Sequence, residues 1–174
     1  MDPSELNAAS DPFETLGLEP RFDLARPDIE RAYLARAAQT HPDLDSSDDA
    51  PDGSAALNAA RACLIDPEQR AHALLHRLGG ANVRQDQNLP PGFLNDIMAK
   101  RLEIEEAIES GDAEAVAQWR DWAFQQRASF IEAAGLAFSG GRDRPWDVDL
   151  CTGMRRLLNA WRYIERLIEQ LPDA

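Results

Sequence analysis

Cysteine is scarce in this chain: Cys63 and Cys151 are its only two. They lie far apart and in no CxxC pattern, so neither a disulfide framework nor a zinc cluster is indicated, and a reducing cytoplasm is the expected home. Basic charge is also short. Eighteen Lys and Arg stand against 31 Asp and Glu, a formal net charge of -13 with a pI near 4.6. That excess opposes the phosphate backbone, so nucleic acid is excluded as an expected partner. No apolar run approaches the roughly 18 residues needed to cross a bilayer. The opening MDPSELNAASDPF lacks the basic-then-apolar order of a secretory signal, so neither membrane nor export is expected. GxSxG, GxxxxGK[ST] and GxGxxG are all missing, which removes the usual hydrolase, phosphate-loop and dinucleotide chemistries, and no cofactor is expected. Persistent β-branched alternation is nearly absent too, which argues against strands.

What the chain has is helix-forming material. Hydrophobic residues make up 44% of it, enough for one core or two small ones. Asp11-Pro12-Phe13-Glu14 reads as a cap, a proline at the first helical position and a returning Glu, with Phe13 and Leu16 facing inward and an end near Gly17. Pro27 opens a second helix whose Ile29, Ala32, Tyr33 and Ala37 form one stripe, while Arg31 and Arg36 face elsewhere. Pro42 closes it. Residues 44–54, LDSSDDAPDGS, have almost nothing to bury and read as a loop. A third helix with Leu57, Ala60, Cys63 and Leu64 on one face completes a hairpin. Asp66-Pro67-Glu68-Gln69 repeats the cap signature and starts a fourth, carrying Leu74, Leu75 and Leu78 to Gly79-Gly80.

Residues 81–92 are polar and proline-bearing and read as a linker or the lead-in to a second unit. Three more helices follow. Residues 93–110 carry Leu94, Ile97, Met98, Ile104 and Ile108. Gly111-Asp112 stops that helix and caps the next, with Val116, Trp119, Ala123, Phe130 and Ala134. The last, from about Asp147 to Leu171, places Met154, Leu157, Trp161, Ile164 and Ile168 on one stripe. The expected fold is all-α: residues 1–80 as one helical domain, 81–92 as linker, and 93–174 as an antiparallel three-helix bundle.

His41-Pro42-Asp43 sits between the two amphipathic helices of the hairpin. A switchable imidazole, a rigid proline and a carboxylate, with no nucleophile, suit binding rather than bond-making. A short DPFETLGL helix, a helix reading RAYLARAAQT, His-Pro-Asp, a polar loop and a further helix, in that order over residues 11–78, resemble a J domain. The wider match is to the HscB family, J-domain co-chaperones of iron–sulphur cluster assembly. DPFETLGL, LNAARACLIDPEQRAHALLHRLGG, PGFLNDIMAKRLEIEEA and WRYIERLIEQL are the passages that resemble it.

The resemblance implies that the protein is not an enzyme itself. His41, Pro42 and Asp43, with Arg31 and Arg36, would engage a DnaK/HscA-type chaperone and stimulate its ATPase. The C-terminal bundle would bind an IscU-type scaffold protein through Leu94, Met98 and Glu106 on its first helix and Tyr163 on its last. Asn95 stands where the family often has an apolar residue, Ala99 and Leu102 where acidic ones are expected, and Ala38 where a basic one is common. Two alternatives stay open, a J-domain protein for general clients and a helical adaptor whose His-Pro-Asp is incidental. Exposure of Leu94 and Met98 discriminates, because their i, i+4 spacing also fits ordinary core. His72 and His76 share that spacing, but with no third ligand evident a metal site is not expected.

Overall fold

The computed structural model describes residues 11–39, 50–140 and 147–172, the side chains of 50–52 excepted. Those residues hold seven helices and no strand, and they divide between Asn82 and Val83 into two compact units. In the first unit α1 spans Pro12–Leu16, α2 Arg26–Gln39, α3 Ala50–Ile65 and α4 Pro67–Arg77. Asp11 caps α1 by accepting from the Phe13 amide at 2.8 Å, and Gly17 ends it in the left-handed region at φ 68°. Glu14 does not return to the cap, because Arg77 of α4 takes its carboxylate at 3.0 Å and also pairs with Asp11. Phe13, Leu16, Ile29, Leu57, Ala60, Leu64, Leu74 and Leu75 form the buried centre, and burying such side chains is worth about 1.5–3 kcal/mol each.

Two further side chains lock this unit. Arg61 of α3 clasps Glu30 of α2 with both arms at 2.6 Å and lies over the Tyr33 ring, whose hydroxyl donates to Asn58. That clasp holds the Glu30 carboxyl below its ordinary range. Arg70 is buried and donates to the carbonyls of Phe22 and Leu24 at 2.8 and 2.7 Å, fixing the segment between α1 and α2. Two expectations are corrected. Ala50–Ser54 belong to α3 rather than to a loop: proline is tolerated in a first turn, where its missing N–H has no partner to lose. Leu78 turns outward, since α4 ends at Arg77 and the chain reverses through Gly79 at φ 78°.

The second unit packs α5, Phe93–Ser110, α6, Ala113–Gly140, and α7, Val148–Gln170, pairwise against one another. Its core is Ile97, Ile104, Ala123, Ile164, Leu167 and Leu171, with Trp119, Trp122, Phe130 and Tyr163 packed against it. Asp112 caps α6 at the Ala115 amide and Asp147 caps α7 at the Leu150 amide. On α7 the buried face holds Met154, Trp161 and Ile164 as expected, but also Leu158 and Asn159, while Leu157 and Ile168 are only half-buried. The Asn159 amide donates to the carbonyls of Asp86 and Asn88 at 3.0 and 2.9 Å, so residues 86–88 are tied to α7.

Candidate partner-binding surfaces

His41, Pro42 and Asp43 fall in the segment joining α2 to α3 and lie outside the described residues. The helices on either side are held in register by the Arg61 to Glu30 clasp and the Tyr33 to Asn58 bond. Arg31 and Arg36 are exposed on α2, as the periodicity predicts, yet each has a contact within the chain. Arg31 pairs with Asp28 at 3.0 Å, and the Arg36 guanidinium occupies the space a side chain at Gly17 would fill. An exposed ion pair is worth at most about 1 kcal/mol and yields readily to a partner.

The second surface lies on α5. Its buried side is Ile97, Ile104 and Ala107, so residues displaced from that side by about half a turn face outward. Leu94 and Met98 are 47% and 48% exposed. Helical packing for its own sake would have buried them, so the core reading of their i, i+4 spacing does not hold. Glu106 is exposed farther along α5. Tyr163 of α7 is half-buried and meets Phe93 edge-on at 5.9 Å, which places its ring beside the first turn of α5. Ile108, expected on the stripe with Ile97, also points outward, because Ala107 takes the inward position. Leu102 is the outward residue that spacing alone did not single out.

No metal-holding cluster competes with these surfaces among the described residues. His72 stands 3.7 Å from Glu68 in a largely buried turn, whereas His76 is exposed, and no group of three His, Cys, Asp or Glu could hold a metal ion there. Cys63 is buried against the Gln69 carbonyl at 3.7 Å, and burial pushes its thiol up to about 12, so it is no nucleophile at neutral pH. Among the described residues no helix is long and apolar enough to cross a membrane.

Two all-helical units, one carrying on α5 an exposed apolar face of the kind that marks a partner surface, define the class of protein by its architecture. No family model matches the chain. It is, however, 33% identical over 153 residues to a co-chaperone protein HscB homolog of Bordetella petrii, covering 80% of this chain and 89% of that one. A co-chaperone protein HscB homolog of Burkholderia mallei is 31% identical over 171 residues, 91% of this chain and 90% of the relative. Chaperone HscB from Vibrio cholerae has the same fold, with a TM-score of 0.74 at 21% identity over 93% of this chain and 95% of that one. Human co-chaperone protein HscB superposes with a TM-score of 0.74 over 95% of this chain and 82% of its own, at 21% identity. The chain belongs to the HscB co-chaperone family. It is accordingly a co-chaperone of iron–sulphur cluster assembly and not itself an enzyme.

Proposed function

We propose that the chain joins two partners, one at each unit. In the first unit, acting as a J domain, His41, Pro42 and Asp43 with Arg31 and Arg36 engage a DnaK/HscA-type ATPase. In the second, Leu94, Met98, Glu106 and Tyr163 hold an IscU-type iron–sulphur scaffold, all in the cytoplasm. The observation that carries this reading is the exposure of Leu94 and Met98, two large apolar side chains kept in water on one helix face. Exposed apolar side chains clustered with charge are the usual anatomy of a protein interface. A J-domain protein for general clients would have no need of such a patch beside Tyr163.

An imidazole, a rigid proline and a carboxylate at His41, Pro42 and Asp43, with no nucleophile among them, suit contact with the ATPase rather than bond-making. Stimulation therefore works by binding the ATPase more tightly in its hydrolytic conformation than in its other state, and the gain in rate is limited by that difference in affinity. Holding the scaffold on the second unit raises its effective concentration at the ATPase through the connecting chain. Single-turnover ATP hydrolysis by the host's DnaK-type chaperone is the test, run with this protein and with its His41→Gln variant, each with and without the scaffold. The variant should lose the stimulation. Equal rates for the two proteins would sink the proposal.

A further inference from the structure

The outward face of α5 carries more apolar surface than Leu94 and Met98 supply. Leu102 is 67% exposed, more than either of them, and the three stand four residues apart, which aligns them in one ridge along the helix. At 1.5 Å of rise per residue that ridge is about 12 Å long. Among the described residues of the second unit the ridge stays exposed. Ile97, Ile104 and Ala107 occupy the opposite face, and Lys100 turns back over Trp119 and Trp122 at 5.8 and 5.1 Å. Arg101, beside the ridge, is held by Glu105 at 2.9 Å, so its charge is already matched. Past Leu102 the same face becomes acidic, with Glu106 and Glu109 exposed. These carboxylates stand near the negative end of the helix dipole, and no basic residue occupies the last turn. Helix stability does not account for them there.

We infer that Leu102 is a third apolar anchor and a specificity-determining residue of this surface. Its occupant is a folded protein whose groove takes three apolar side chains and ends in a basic rim facing Glu106 and Glu109. The inference rests on the scaffold-docking reading and deepens it. A partner offering only cations opposite Leu102 would have to strip them of water against a leucine, which disfavours it, so the residue selects as well as binds. The apolar centre supplies affinity, and the acidic end supplies orientation and rate of encounter.

Calorimetric titration of the full chain with the IscU-type scaffold of the same host, at low and high salt, tests this. Leu102→Ala should weaken binding about tenfold at both salt concentrations, and Leu102→Glu by more. Leu136→Ala, which removes a comparably exposed leucine from α6 (69%), should change nothing. All three should melt as the wild type does, since each side chain is largely in water. Leu102→Ala within twofold of the wild type, while Leu94→Ala still costs about tenfold, overturns the role of Leu102 and leaves the docking reading standing. Wild-type chain that does not bind, or binding indifferent to both substitutions, overturns both.

Discussion

Cys63 illustrates how burial sets the chemistry of a single side chain. The spacing of Leu57, Ala60, Cys63 and Leu64 places it on the inward face of α3, and the structure buries it. Desolvation and the nearby Asp66 carboxylate then raise its pKa from 9.0 to about 12, against the opposing pull of Arg70. A thiol ionises more readily in the unfolded chain than here, so this contribution to stability is intact below about pH 9 and is lost as pH rises toward 12. The first unit should therefore melt at falling temperature across that range, and Cys63→Ala should flatten the fall. Thermal scans followed by circular dichroism at stepped alkaline pH decide the matter, and parallel slopes for the two proteins would contradict the assignment. Arg70 teaches the opposite lesson about legibility. Its charge and helical position mark it as a surface residue, yet it lies over the Phe22 ring and bonds two carbonyls of the segment ahead of α2. Burial pulls its guanidinium below the ordinary value. Its partners are more than forty positions away, and no local pattern announces them.

At the scale of the helix, the ends were legible because their causes are local. Asp11, Asp66, Asp112 and Asp147 each cap a helix through an amide two or three residues on, and such bonds depend on adjacent sequence alone. The start of α3 was not legible, since an acidic stretch containing glycine and proline suits a loop as well as a first turn. The outward face of α5 was legible only in part: the 3.6-residue period fixes which residues share a face, but not which face meets α6 and α7. The acidic end of α5 has a further consequence. Glu109 opposes the helix dipole and stands one turn from the like-charged Glu105. Replacing it by lysine should stabilise the second unit by about 0.5 kcal/mol, roughly 2–4 °C in Tm for a unit of this size. The same change should weaken scaffold binding if the acidic end faces a basic rim. Denaturant unfolding with a titration on the same variant reads both effects, and a destabilised Glu109→Lys protein would show the dipole argument to be wrong.

For the whole molecule, the division between Asn82 and Val83 means that each unit encloses its own core. A fragment of residues 83–174 should unfold cooperatively by itself. One beginning at 93 should be less stable by about 1–3 kcal/mol, because the buried Asn159 amide loses its acceptors at Asp86 and Asn88. Urea midpoints of the two fragments make the comparison, and equal midpoints would show that residues 83–92 do not contribute. The sequence by itself determined the helical class, the caps, the hairpin around His41-Pro42-Asp43 and the likeness to HscB proteins, since each of these is written in local spacing or in continuous stretches of text. Only the tertiary structure decided which apolar residues are core and which are surface. Leu94, Met98 and Leu102 have the same helical period as buried leucines, and what distinguishes them is where α6 and α7 pack, a matter settled between residues distant in the chain.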